Sequence, residues 1–429
     1  MIEQLALRIF QGMQALATIA QFNRIAPFAD QVLVSGTNFL TGLALVRTLG
    51  LEDYGVYALL YTGVLFCAAL QQSCIIAPLM TNGPRLEAVL RFRHMRALSV
   101  FQTIFALLAV CFVAIATWCS TGMSRVTIDP EVLAALALMT FFLQFQDLYR
   151  RSYYAFQNFG RLLLSDVIAC SLQIALVWGA TLMTHVELSD MMFVVAGSAA
   201  VSALWGAFTY GIEFNRAEIR SVMRENWRMS RWLLPSALVQ WAGANAVFLI
   251  GSVHLGTVAV GALRAAQNAV AVLNVLFIAL ENTLPVKASI IHRDGGREDL
   301  LRYVLVSSAS IMAVTLVVVV PLGLFPVFFL EMLYGDGLVE HADVLRGFCL
   351  IYILSGIGIP VRAALRTTGR ARSIFIAYVL STTVSVTAVY PLVVLLDVNG
   401  MVLTLALAQV VLLTGYLAQY LFLSRGWKA

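Results

Sequence analysis

The sequence predicts an all-α polytopic membrane protein. About twelve transmembrane helices form two six-helix lobes related by a parallel pseudo-two-fold repeat. Three observations carry this expectation. The 429 residues are 60% hydrophobic and only 12% charged, where a soluble domain carries about 25% charge. Apolar runs long enough to cross a bilayer, about 18 residues or more, recur along the whole chain. And a short turn sequence returns 206 residues later: Leu49-Gly50 followed by Tyr54-Gly55-Val56-Tyr57 is echoed by Leu255-Gly256 followed by Val260-Gly261-Ala262-Leu263.

Residues 1–27 open the chain. They lack a basic leader followed by a clean apolar core, so they do not read as a cleavable signal. A polar stripe (Gln4, Arg8, Gln11, Gln14, Thr18) lies among Ile2, Leu5, Ile9, Met13, Leu16 and Ile19, which reads as an amphipathic helix in the membrane interface. Residues 28–212 hold six spans, near 28–49, 55–80, 97–120, 131–153, 162–184 and 190–212. A connection over 213–232 separates them from six more, near 233–254, 258–284, 303–329, 344–365, 373–396 and 400–423, and 424–429 form a tail.

Basic residues test the count. Of 28 Lys and Arg, 24 fall in one set of alternate connections, and only Arg125 falls in the other. The positive-inside rule makes the first set, and both termini, cytoplasmic. Six spans per half return the chain to the same face, so the halves are parallel repeats. A second echo supports this: Ala155-Phe156 then Gly160-Arg161, against Ala364-Leu365 then Gly369-Arg370, at an offset of 209. In the central connection Arg216, Arg220, Arg224 and Arg228 recur every four residues beside Ile219, Met223 and Trp227. This reads as a linker helix on the anionic inner leaflet. The longest outer connection, Leu330 to Asp343, has about 14 residues by these boundaries and no Lys or Arg. It leaves no room for the outer domain that a membrane glycosyltransferase or ligase needs, so no enzyme activity is expected.

Polar side chains within the spans face protein or water rather than lipid. Asn38, Gln71, Gln144, Gln146, Gln240, Asn245, Gln267, Asn268 and Asn274 lie mainly in spans one, two, four, seven and eight. They either line a central cavity or bond helix to helix. Arg47, Arg264 and Arg346 lie towards the outer ends of their spans. They either snorkel to headgroups or form a cationic vestibule suited to phosphate or carboxylate. Asp30, Asp147, Asp166 and Glu281 lie near inner ends. They pair with Arg150, Arg151 or Lys287, or else one of them binds a driving proton or sodium ion, Asp147 and Glu281 being the deeper. Pro78, Pro321, Pro326, Pro360 and Pro391 mark expected bends. The six cysteines read as small buried hydrophobes, and no His or Cys spacing suits a metal.

Leu45-Val46-Arg47-Thr48-Leu49-Gly50 with Tyr54-Gly55-Val56-Tyr57-Ala58-Leu59 resembles a segment of the polysaccharide-transporter (Wzx-like) branch of the multidrug/oligosaccharidyl-lipid/polysaccharide (MOP) exporter superfamily. Leu333-Tyr334-Gly335, Ala342-Asp343-Val344-Leu345-Arg346, Thr368-Gly369-Arg370 and Asn399-Gly400 fit the same pattern, so the likeness covers about residues 28–423. It implies a MATE/MOP-like fold and alternating access. It implies movement of a polyprenyl-diphosphate-linked oligosaccharide (an O-antigen, capsule or exopolysaccharide repeat unit) across a bacterial inner membrane. It also implies a cationic lumen, in which Arg47, Arg264 and Arg346 would serve. Membrane lipids and other polysaccharide assembly proteins are the expected partners, with no nucleic acid and no cofactor beyond the coupling ion. The alternative reading is a cation-coupled drug antiporter of the same fold.

Overall fold

The computed structural model describes the backbone of residues 2–123, 129–182, 185–211 and 213–426, and side chains from residue 25 to 420 apart from short stretches. The side chains of the expected N-terminal stripe lie outside the described residues, as does Arg125. All regular structure among the described residues is helical, which is how a lipid-embedded backbone satisfies its own hydrogen bonds.

In chain order the α-helices are α1 (Ile2–Gln71), α2 (Ala77–Asn82), α3 (Ala88–Met123), α4 (Pro130–Ala155), α5 (Phe159–Ala180), α6 (Leu188–Tyr210), α7 (Arg216–Val270), α8 (Leu273–Leu324), α9 (Pro326–Tyr334), α10 (Ala342–Thr367) and α11 (Ala371–Gly426). Nine helical stretches among the described residues are long and apolar enough to cross a membrane. Four helices contain one residue with non-helical dihedrals: Gly50 in α1, Gly256 in α7, Gly296 in α8 and Asp397 in α11. Divided there, and with the part of α7 after Gly256 joined across residues 271–272 to the part of α8 before Gly296 as a single eighth pass, they yield the twelve passes expected. The bundle end that carries most of the arginines is here called the inner end, and the opposite one the outer end.

The turns are made by glycine more than by proline. Gly50 (φ 75°, ψ −179°) and Gly256 (φ 80°, ψ −173°) adopt the same left-handed conformation, which costs a residue without Cβ nothing. The 206-residue echo is therefore a repeated backbone turn. By contrast α7 and α11 carry Pro235 and Pro391 without a break at either. Proline removes one backbone donor but keeps a helical φ, and the helices likewise run on without a break at Pro360 and Pro391. Near Pro78 the chain widens into a π-turn over Gln72–Ile76, and α8 yields to α9 at Phe325, just before Pro326.

The second echo holds in place but not in register. Asn158 N bonds Tyr153 O and Gln157 N bonds Tyr154 O, while Arg370 N bonds Leu365 O and Gly369 N bonds Arg366 O. Gln157 (φ 56°) therefore matches Gly369 (φ 73°), an offset of 212 rather than 209. This is the Schellman closure of a helix, with a glutamine holding the position glycine usually takes.

The central connection is not a separate helix. Asn215 caps it, its side chain accepting from the backbone N of Ala217 (3.1 Å) and Glu218 (3.4 Å), and α7 then runs on into the seventh pass. Ile219, Val222, Asn226 and Ser230 are buried, whereas Met223 and Trp227 are exposed. A stripe of every fourth residue drifts about 40° per step on a helix of 3.6 residues per turn, so a mixed three-and-four spacing marks the buried face. The arginine stripe is exposed. Arg93–Glu218, Arg96–Glu213 (2.5 Å) and Asn82–Glu225 (2.9 Å) contacts dock the helix on the first half. Cysteine burial also divides: Cys67, Cys170 and Cys349 are buried, while Cys111 and Cys119 face outward.

Candidate functional site: a cavity on the lobe seam

A cavity of about 480 Å³ lies inside the first half and is closed on one side by the eighth pass. That volume falls within the roughly 300–1,000 Å³ of small-molecule sites. The first half lines most of it, from passes one, two, four, five and six. The second half contributes Arg264, Gln267, Asn268, Ala271 and Asn274.

Of the three arginines read as a vestibule, one lines the cavity. Arg264 donates through Nη1 to Gln267 Oε1 (3.0 Å) and through Nη2 to Asn245 Oδ1 (3.1 Å) and Thr62 Oγ1 (3.3 Å), and its guanidinium lies over the Phe248 ring at 3.5 Å. Among the described residues it has no carboxylate within ion-pair distance. Five donors with three engaged leave capacity for an anion. Arg47 instead turns outward. Its Nε and Nη2 donate to Leu333 O (2.5 Å) and Met332 O (2.6 Å), capping the last carbonyls of α9. Arg346 is also exposed, pairing with Asp343 (2.7 Å) and bonding Gly323 O (3.3 Å). The vestibule reading fails for these two because α9 and its neighbourhood supply them with other partners.

The amides divide as well. Asn38, Gln71, Gln144, Gln146, Gln267, Asn268 and Asn274 line the cavity. Gln71 and Gln144 belong to a buried set with Gln102: Gln71 Nε2 donates to Gln102 Oε1 (3.0 Å) and Gln144 O (2.6 Å), and Gln102 Nε2 donates to Gln144 Oε1 (3.2 Å). Asn268 Nδ2 crosses the seam to Phe39 O (3.2 Å) and also bonds Tyr334 OH (3.3 Å), while Tyr352 OH donates to Asn274 Oδ1 (3.1 Å). Asn245 stands behind Arg264. Gln240 is exposed and away from the cavity.

The acids fall into three groups. Arg150 bridges Asp30 and Asp166, Nη2 to Asp30 Oδ2 at 2.5 Å and Nε to Asp166 Oδ2 at 2.8 Å, and Tyr154 OH donates to Asp30 Oδ2 (2.6 Å). Both carboxylates are fully buried, each with its Oδ1 unpartnered, and Asp166 and Arg150 reach the cavity wall. Asp147 also lines the cavity and pairs with Arg151 one turn on (3.1 Å). Glu281 lies in the other lobe, paired with Arg362 rather than Lys287.

Sequence reasoning missed three tyrosines. Tyr54, Tyr57 and Tyr61 stack along the second pass, with ring centroids 6.3 and 5.7 Å apart and interplanar angles of 18° and 11°, and all three line the cavity beside Arg264. With Val64, Ala68 and Gln71 they form one helical face. That spacing of three and four was the available signal. It stood behind the turn motif in which two of the tyrosines also belong.

Towards the outer end the two halves meet in direct backbone contact. A Cβ on Gly55 would overlap Thr257 O, and a Cβ on Gly261 would overlap Leu51 O. The four residues pair at the 206-residue offset, so the contact is reciprocal about the pseudo-two-fold axis.

A bundle folded in two such halves about a polar cavity has known counterparts. The fold is that of the MATE transporters and of a lipid flippase. A MATE structure in complex with MaL6 aligns at TM-score 0.62 and 16% identity, covering 95% of this chain and 96% of that one. The lipid II flippase MurJ in an inward closed conformation aligns at TM-score 0.69 and 10% identity, covering 93% and 87%. An inward-facing multidrug resistance MATE transporter of the MOP superfamily aligns at 0.60 and 15%, covering 94% and 96%. No protein-family model matches the chain, and no curated protein matches its sequence. The chain is a multi-pass membrane protein of transporter fold.

Proposed function

We propose that the chain is a flippase of the Wzx-like branch. It would move a polyprenyl-diphosphate-linked oligosaccharide from the inner to the outer leaflet of a bacterial cytoplasmic membrane by alternating access. Both termini would be cytoplasmic, with lobes at 28–212 and 233–423. One observation carries this reading above all: Arg264 stands in the seam cavity without a carboxylate. An unneutralised guanidinium away from bulk water attracts an oxyanion and repels an organic cation. Tyr54, Tyr57, Tyr61 and the amides then offer hydroxyl and amide groups to a glycan, while the prenyl tail stays in lipid.

The Asp30–Arg150–Asp166 cluster supports ion coupling. Two carboxylates facing one guanidinium carry a surplus negative charge that a proton or sodium ion would settle. Asp147 and Glu281 each hold one arginine and lack that surplus. The same cluster favours the second reading, a cation-coupled antiporter of the MATE kind. Other polysaccharide assembly proteins are the proposed partners.

Deleting the gene and measuring lipid-linked oligosaccharides by mass spectrometry tests the proposal. The expected result is an accumulated intermediate with lost surface polymer, restored by the wild-type gene and not by Arg264→Ala. Unchanged intermediates and polymer, with drug sensitivity raised instead, would favour the antiporter.

A further inference from the structure

We infer that Gly55 and Gly261 are positioning residues for the anion site: their contact shuts the outer end and at the same time assembles the site, which exists only while that end is closed. This rests on the reading of Arg264 given above.

The site is built from both sides of the seam. Arg264, Asn245 and Gln267 belong to the second half, and Thr62, Tyr54 and Tyr61 to the first. Each glycine sits within about two helical turns of residues in its half of the site. Arg264 follows Gly261 by less than one helical turn, and Tyr61 and Thr62 follow Gly55 by about two. The packing is close enough to be all-or-none. Besides the two carbonyl overlaps, a Cβ on Gly55 would stand 3.2 Å from Gly261 N, and one on Gly261 would stand 3.2 Å from Gly55 N. A single methyl therefore cannot be absorbed by turning a side chain, because every obstacle is backbone. The bond from Arg264 Nη2 to Thr62 Oγ1 is already 3.3 Å long. A separation of about 1 Å takes it out of hydrogen-bond range.

Two further contacts join the halves. Arg47 of the first half caps the end of α9 in the second, and Asn268 fills the space over Gly42, where a Cβ would stand 2.8 Å from its Nδ2. Opening the outer end parts Thr62 and the tyrosines from Arg264. The anion then loses its ligands as its way outward opens, which gives the affinity difference between states that directional release requires.

The test uses the full chain in lipid nanodiscs, with its six cysteines replaced and Val260→Cys as reporter. Val260 is fully buried beside Gly261 and does not line the cavity, so bound anion cannot shield it directly. Inorganic pyrophosphate is the probe. We expect pyrophosphate to bind and to slow maleimide labelling at position 260 several-fold, because a ligand of the closed state must stabilise it. Gly55→Ala and Gly261→Ala should each speed labelling and weaken pyrophosphate binding by about tenfold or more. Gly63→Ala lies in the same pass, and its Cβ would meet only Val113 at 3.7 and 3.8 Å, so it should do neither. Arg264→Ala should abolish binding, so that pyrophosphate no longer slows labelling at position 260. Pyrophosphate that binds without slowing labelling overturns the inference and leaves the proposed function standing. Failure of pyrophosphate to bind the unsubstituted chain overturns the anion reading itself. Should the glycine variants not fold, the effect of pyrophosphate on Val260→Cys labelling decides alone.

Discussion

Each lobe carries a cluster of acid, arginine and tyrosine near its inner end, and the two clusters are not equivalent. In the first lobe Arg150 serves two fully buried carboxylates, Asp30 and Asp166, and Tyr154 donates to Asp30. In the second lobe Arg362 serves one, Glu281, whose side chain is 39% exposed, and donates to Tyr378 OH at 2.8 Å. The repeat thus reproduces the backbone turns at the outer end while the inner chemistry has diverged. The balanced pair in the second lobe fastens two helices. The unbalanced triad, one carboxylate in surplus and open to the cavity through Asp166, is the proposed site of a coupling ion. A fold built from a repeat can keep its symmetry where the halves touch and give it up where only one half needs a charge.

Removing each arginine gives the largest separation between the clusters. Arg150→Ala leaves two buried carboxylates without a cation. Stripping one partner from a buried pair costs about 3–5 kcal/mol, so we expect a thermal unfolding midpoint far below wild type or little folded protein. Arg362→Ala exposes a carboxylate that already meets solvent, and about 1–2 kcal/mol is the expected loss. Equal destabilisation of the two variants, measured in the same detergent, would end the distinction.

The next effect is functional. Asp166→Asn removes the surplus charge and keeps the Arg150–Asp30 pair, so the protein should fold. Its transport should lose most of the dependence on pH or sodium expected of wild type, by about tenfold in the ratio between driven and undriven rates if one ion is coupled there. Glu281→Gln should leave that ratio unchanged. Flux assays in vesicles with an imposed gradient read both variants, and a lost gradient response in Glu281→Gln alone would move the coupling site to the second lobe.

The passes and their turns were legible in the sequence because each rests on a local cause. Hydrophobic length, arginine placement and the two glycines at Gly50 and Gly256 need no tertiary information. The site was legible only in part. Arg47 and Arg264 both stand towards the outer ends of their spans, yet one caps α9 and the other faces the cavity. Depth along a helix is readable from sequence, but rotation about its axis is set by neighbours. The short helix α9 was invisible as a partner because the outer connection read as mere chain. Arg150 between two acids drawn from passes one and five could be named as a partner but not placed, since Asp30 and Asp166 lie 136 positions apart in the sequence.

The smallest effect sharpens the comparison most finely, because it changes one hydroxyl in each cluster. Tyr154→Phe deletes a donor to a buried carboxylate at 2.6 Å, and a hydrogen bond to a charged group contributes about 1.5–3 kcal/mol. Tyr378→Phe deletes an acceptor from Arg362, whose charge Glu281 still neutralises, so the loss should be nearer 1 kcal/mol. The two substitutions should also differ in kind. Without Tyr154, Asp30 and Asp166 compete more evenly for Arg150, and the gradient response of transport should shift in pH as well as in amplitude. Tyr378→Phe should change stability alone. A pH profile of transport on the two variants separates them, and a profile that moves with Tyr378→Phe would show that the second cluster also carries an ion.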